Sequence, residues 1–463
     1  MPMNASRRAF LQRAAALSIA GPATPFVLNL ATAGDAAAAT AADYKALVCV
    51  FLYGGNDYAN TLVPYDNAQY TVYQSQRPGL AYAQAALDAT VLAPTIPLPN
   101  GAQYALAPEL AKLLPIFNAG NLAMMLNVGT LVQPTTKAQY QAGSVRLPPK
   151  LLSHNDQQSY WQSSSPEGAA SGWGGRIGDL LQSGNGTATL TCINVSGNAV
   201  YLTGQVAVQY SVTPSGPIAL NARNSLAGSA SAATLLQSLL SGGGQHEFEA
   251  ALGTIGTRAL NLYSQVSAAL AQAPATATVF PAAADPQSTL GAQLQEVAKL
   301  ISVSSQLGAK RQVFLVSTSR YDTHDGLLSL HPTLLTNLAD ALRAFYDTTV
   351  ELGVASQVTT FTASDFGRAL TANNDGTDHG WGSMHFVLGG AVKGGRYYGI
   401  NPALANGGPD DIGQGRLIPS MAVDQYAATL AAWFGVSASD LPTVFPNINN
   451  YAGSVLGTNV GFV

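Results

Sequence analysis

The sequence predicts an α/β protein built around a mostly parallel sheet, and three observations carry that expectation. Short apolar runs rich in Val, Leu and Phe recur along the chain and stop abruptly at Gly or polar residues, the form of strands buried on both faces. Amphipathic helical patterns lie between the runs, as strand–helix alternation requires. Polar and acidic residues collect where the runs end, and open α/β sheets place their sites at that carboxyl edge.

The elements follow in order. Arg7 and Arg8 sit in Ser-Arg-Arg-x-Phe-Leu, ahead of a weakly apolar stretch and Ala-x-Ala options around Ala37 to Ala41. That is the layout of a twin-arginine export signal, so residues 1–42 are set apart from 43–463, expected as one periplasmic or secreted domain. The apolar stretch is short and contains Gly and Pro, which argues against a mature membrane span. "KALVCVFL" reads as the first strand and ends in Gly54-Gly55-Asn56-Asp57. Further strands are expected at 121–131, from Gln312, from Ser356 and in "HFVLGGAVKGG". Leu334, Leu335, Leu338, Leu342 and Phe345 form one helical stripe, and "GAQLQEVAKLISVSSQL" and "FEAALGTIGTRALNLYSQVSAAL" are amphipathic as well. Residues 195–245, rich in Ser, Gly and Ala, read as a partly irregular insertion.

Charged residues make up 10% of the chain, well below the roughly 25% of an average soluble protein. No Lys/Arg run follows the first twenty residues, which speaks against a nucleic-acid partner. Cys49 lies in an apolar run as a small buried hydrophobe; whether it pairs with Cys192 is open, and no Cys/His zinc spacing occurs. Twin-arginine export carries folded proteins, often with a cofactor loaded, which favours a metalloprotein.

Three blocks hold the ligand-type residues. In "SRYDTHDGLLSLHP", Asp322 and His324 are two apart and face one side of an extended segment, as metal ligands or as turn and surface residues. His331 reads as the start of the next helix. In "TASDFGRALTANNDGTDHGWGSMHFVLGG", Asp365 follows a strand, Asp378 and His379 occupy a Gly-rich loop, Arg368 suits an anion, and His385 belongs to the next strand. In "LLSHNDQQSYWQ", Ser153 precedes a helical stretch as an N-cap or as a nucleophile, with Thr135 and Thr136 competing for the second role.

Together "FLYGGNDYANTLVPYD", "LSHNDQQSYWQ", "GWGGRIGDLL", "YDTHDG", "SDFGRALTANNDGTDHGWGSMHFVLGGAVKGGRYYG" and "YAATLAAWFGV" resemble the bacterial family catalogued as domain of unknown function 1501. That family is itself similar to the alkaline phosphatase and sulfatase superfamily, and the resemblance runs from about Tyr44 to the C-terminus. It implies an alkaline-phosphatase-like three-layer α/β/α sandwich and a metal-dependent hydrolase of phosphate or sulfate esters. Asp57, Asp322, His324, Asp365 and His379 would hold divalent metal (Zn, Ca, Mn or Mg), and Ser153 would be the nucleophile. Asn56, His154, Arg368 and Asp378 would surround the substrate anion. Phe366 stands where the superfamily's Asp-His pair has its histidine. The partners implied are a small-molecule or polymeric ester and, during export, the twin-arginine translocase. The alternative is an exported binding or surface-assembly protein on the same fold without turnover; mutase or transferase chemistry is a third reading.

Overall fold

Every residue from Ala46 to Leu52 is buried, which is why this run sits in the middle of a sheet. The computed structural model describes residues 44–463 apart from 198, 221, 223 and 243–245, so the expected export signal lies outside the described residues. Ten strands form the main sheet: β1 (Lys45–Leu52), β2 (Leu122–Gly129), β3 (Cys192–Asn194), β4 (Tyr210–Thr213), β5 (Gly216–Pro217), β6 (Arg311–Thr318), β7 (Val358–Ser364), β8 (Ser383–Leu388), β9 (Arg396–Tyr398) and β10 (Met421–Ala422). Their order across the sheet is β9-β2-β8-β7-β1-β6-β3-β4-β5, with β10 joined to β2. The sheet is mostly parallel. The exceptions are β8, antiparallel to both β7 and β2, and the edge strand β5.

β1 pairs in parallel with β6 and β7, and its last residue, Leu52, lies opposite Thr318 on one side and Ser364 on the other. Three strands therefore end level, and the residues that follow each fall on a single edge.

Side chains alternate across β1 as strand geometry dictates. Val48, Val50 and Leu52 pack with Phe314 and Val316 beneath the helices Leu290–Ser302 and Leu327–Glu351. Leu47, Cys49 and Phe51 pack on the other face with Val313 and Leu315, beneath Trp173–Leu181 and Val423–Phe434. The architecture is thus helix, sheet, helix in three layers.

One expectation, the start of the long helix, needs revision. Gly326, in the left-handed conformation, lets the long helix begin at Leu327, so His331 lies inside it rather than at its start. The Ser/Gly/Ala-rich stretch carries β4, β5 and the helix Ala230–Ser241, and β4 extends the sheet from β3. Cys49 and Cys192 are buried free thiols, on strands that β6 separates. Among the described residues no helix is long and apolar enough to cross a membrane.

Candidate metal centre

The Gly-Gly-Asn-Asp turn after β1 builds the floor of the site. Gly54 has a φ of +115°, and a Cβ there would sit 2.4 Å from the backbone nitrogen of Asp322, so only glycine lets the two loops touch. Its N–H donates to Asp365 Oδ2 at 3.1 Å, and its carbonyl accepts from Arg368 Nη1 at 3.2 Å. Gly55 makes room for the Phe366 ring in the same way.

The next two residues face inward and are consumed by the fold. Asn56 donates its side-chain NH2 to Thr61 Oγ1 at 3.0 Å, and its Oδ1 lies 3.0 Å from His331 Nε2. Asp57 is fully buried. Its Oδ1 accepts from the Asn60 N–H at 2.9 Å and from Arg77 Nη1 at 2.8 Å, and its Oδ2 accepts from the Thr377 hydroxyl at 3.0 Å. Burial alone would raise the Asp57 pKa; the Arg77 charge, helped by His331 and the hydrogen bonds, outweighs it and holds the carboxyl below its ordinary range. The expected ligand Asp57 and the expected anion contact Asn56 are thus buried and engaged by protein neighbours, Arg77 and Thr377 on one and Thr61 and His331 on the other.

Asp322, 40% exposed, is the hub of the open part of the edge. Its Oδ1 lies 3.1 Å from His324 Nε2 and 3.2 Å from His379 Nε2, and those two nitrogens are 2.9 Å apart. Its Oδ2 lies 3.4 Å from His154 Nε2. One ligand atom each from His154, Asp322 and His379 fall within 4.8 Å of one another. Three of the chain's six histidines thus meet around one carboxylate.

The far sides of two of these rings are already committed. His154 Nδ1 is 2.6 Å from Asp365 Oδ2, which also accepts from Gln158 Nε2 at 2.8 Å. His379 Nδ1 is 2.7 Å from the carbonyl of Leu152. Carboxylate and carbonyl oxygens only accept, so both Nδ1 atoms carry a proton, and in the neutral rings each Nε2 presents a lone pair. Those lone pairs face carboxylate oxygens, an arrangement that calls for a proton or a cation between them. The hydrogen bond to Asp365 is the main reason the His154 pKa is raised, burial opposing it; burial lowers that of His379.

The donor set fits a metal ion. The spacings of 2.9, 3.1 and 3.2 Å among His324 Nε2, His379 Nε2 and Asp322 Oδ1 approach the edge of a tetrahedral zinc site, about 3.3 Å for bonds of about 2.0 Å. Phe366, buried, packs its ring 4.9 Å from His154 and 4.5 Å from His379 and walls the cluster on its apolar side.

The remaining expected residues fall around this centre. Asp365 Oδ2 orients His154, and its Oδ1 is buried without a hydrogen-bond partner among the described residues. Arg368, expected to hold a substrate anion, is fully buried and donates Nη1 to Asp322 Oδ1 at 2.7 Å. The anion it meets is the protein's own carboxylate. Asp378 lies 3.4 Å from His324 Nδ1 and 2.6 Å from Asn373 Nδ2. His379 belongs to a short hairpin rather than a loop, on Thr377–His379 paired with Arg368–Ala372, and stands opposite Arg368. His385, on β8, is buried against Trp161.

Ser153 is the N-cap of the helix His154–Ser163 but makes no side-chain cap bond; its hydroxyl donates to Asp156 Oδ2 at 2.9 Å. It stands between Leu152, which holds His379, and His154. Thr136 forms a capping box with Gln139, and Thr135 donates to the Gln133 carbonyl. Sequence reasoning missed His154 as a member of the ligand cluster; its only signal was a histidine beside the candidate nucleophile.

A three-layer α/β protein with a His/Asp cluster at the carboxyl edge of its sheet is the class this fold and site define. Residues 44–412 match the family described as "Protein of unknown function (DUF1501)", and the chain belongs to it. No curated protein matches the chain. Among solved structures it is similar to the lipoteichoic acid synthase LtaP from Listeria monocytogenes, at 10% identity over 87% of this chain and 75% of that one, with a TM-score of 0.33. The PsFucS1 sulfatase from Pseudoalteromonas sp. matches at 10% identity, 89% and 72% coverage and a TM-score of 0.34. The C-terminal periplasmic domain of EcEptC from Escherichia coli matches at 11% identity, 88% and 87% coverage and a TM-score of 0.33.

Proposed function

We propose that the protein is an exported, metal-dependent hydrolase of phosphate or sulfate esters. The observation that carries this reading is the convergence of ring nitrogens on one carboxylate: His154 and His379 aim Nε2 at Asp322 while their Nδ1 atoms are held by Asp365 and Leu152. The ligands would come from Asp322 and from His379, His154 and His324, whose Nε2 nitrogens all lie within 3.4 Å of an Asp322 oxygen. Imidazole-rich donors favour a first-row transition ion such as zinc over calcium or magnesium.

A bound ion would polarise an ester oxygen and stabilise the charge that develops there. The chain's own groups do the rest. Arg368 holds Asp322 Oδ1, while Asp365 and Leu152 fix the tautomers of His154 and His379. Phe366 keeps one side of the site dry. Ser153 is the candidate nucleophile, and attack requires its hydroxyl to turn from Asp156 toward the cluster.

Metal content of the natively exported protein, read by elemental analysis, tests the centre. About one equivalent of transition metal is expected, and Asp322→Ala and His379→Ala should lose it; unchanged metal in those variants sinks the assignment. Turnover of p-nitrophenyl phosphate or sulfate with added Zn, Mn or Ca then tests the chemistry. A binding or surface-assembly protein is the second reading. It is favoured by one observation: the Ser153 hydroxyl and the Arg368 guanidinium are both committed within the protein. Stoichiometric metal without turnover on either ester would select it.

A further inference from the structure

We propose that Thr377 is a positioning residue for the metal centre, coupling the buried Asp57–Arg77 pair to Asp322 through Arg368; this rests on the metal reading above. The connection is continuous. Arg77 Nη1 donates to Asp57 Oδ1 at 2.8 Å, and the Thr377 hydroxyl donates to Asp57 Oδ2 at 3.0 Å. With its proton given to Asp57, the same hydroxyl oxygen accepts from Arg368 Nε at 3.0 Å. The Thr377 carbonyl accepts from Arg368 Nε at 3.1 Å and from Nη2. The outer edge of that guanidinium then donates Nη1 to Asp322 Oδ1 at 2.7 Å.

The polarity of the chain is what makes Thr377 more than packing. A carboxylate can only accept and a guanidinium can only donate, so the two cannot exchange roles. One hydroxyl between them serves both and takes a single orientation. Charges alternate along the path: Arg77 positive, Asp57 negative, Arg368 positive, Asp322 negative. Arg368 is a rigid fork, so fixing its Nε side also fixes its Nη1 side. The Asp322 oxygen it grips is the one that faces His324 and His379. Arg77 also donates to the carbonyls of Ala369 and Leu370, which ties the same pair to the strand that carries Arg368.

Valine has the shape of threonine without the hydroxyl, so Thr377→Val removes one link and little volume. Cobalt(II) binding to the full protein, followed by its visible absorption, reports both affinity and ligand geometry. The expected result is a cobalt affinity reduced about tenfold or more, the usual scale for groups that orient metal ligands, with an altered absorption band. Thr377→Ser should restore both. A purely structural threonine would lower the melting temperature and leave the cobalt spectrum of the folded protein unchanged. That outcome overturns the proposal, as does a serine variant that behaves like valine. Wild-type protein that binds neither cobalt nor zinc sinks the metal reading itself, and the coupling with it. If Thr377→Val does not fold, Thr377→Ala carries the same measurement with less crowding.

Discussion

Asp57 and Asp322 occupy equivalent places, each just beyond the end of a parallel strand, yet the protein uses them in opposite ways. Asp57 is fully buried, with Arg77 on one oxygen and Thr377 on the other. Asp322 is 40% exposed; Arg368 holds its Oδ1, and the Nε2 atoms of His154, His324 and His379 lie at 3.4, 3.1 and 3.2 Å from its oxygens. Strand-end position alone brings an acidic residue to the edge; the partner decides what it does there. Each carboxylate has one oxygen on a buried arginine, Asp57 on Arg77 and Asp322 on Arg368; Asp57 is enclosed all round, whereas Asp322 stays exposed toward three imidazoles with which it could share an ion.

The sharpest way to break the comparison is to remove the closing cation. Arg77→Met leaves Asp57 charged and unpaired, and breaking a buried pair costs about 3–5 kcal/mol. Equilibrium urea unfolding should show that loss as a fall in midpoint. A variant as stable as wild type would mean that Asp57 has a second cation at hand.

The second test strikes the point where the two regions touch. Gly54→Ala would place a methyl 2.4 Å from the Asp322 nitrogen, at a φ of +115°. Strain and overpacking together cost about 3 kcal/mol. Because the clash falls on Asp322, metal retention should drop as well. Lost stability with full metal content would show that the loop moves without its carboxylate.

This contrast sets what could be read from the sequence. The strands β1, β2, β6 and β7 were legible because burial on both faces leaves unbroken apolar runs, and Asp322 and His379 because ligand-type residues there follow or approach strand ends. Asp57 looked the same as Asp322, since nothing local marks Arg77, twenty residues on, as its partner. His154 reads from sequence only as a contact of the substrate anion, because a histidine at a helix start gains its place beside Asp365 and Asp322 from the fold, which supplies them from other strands. The reversed direction of β8 was equally invisible: it depends on pairing, and its apolar run has no polarity of its own.

The closed region should also carry a pH signature. His331, buried against Asn56, has its pKa lowered from 6.5 to about 4, burial being the main cause. In the unfolded chain it takes up a proton near pH 6.5, while the folded state resists until about pH 4. Its contribution is thus present above pH 6.5 and lost as pH falls toward 4, about 2 kcal/mol by pH 5. Asp424, raised to about 6 by burial, acts in the opposite sense but is common to wild type and variant. Unfolding free energies of His331→Gln minus wild type, measured from pH 7 to 5, should therefore rise in the variant's favour. A flat difference would place a compensating charge beside His331.

The smallest change in stability should come from the residue that matters most to the open region. Asp322→Asn keeps an oxygen for Arg368 Nη1, and Arg368 retains the Gly54 and Thr377 acceptors, so unfolding should shift by only about 1 kcal/mol. Metal is a different matter, because the amide removes the charge that the ion would meet. In wild type, zinc at a hundred times its Kd should add about 2.7 kcal/mol to stability, and in Asp322→Asn almost none. Asp57→Asn should invert the pattern, with a large loss without metal and a zinc increment that survives in whatever fraction folds. Thermal melts of the three proteins with and without zinc separate the cases. Equal zinc increments in all three would show that Asp322 is closed as well.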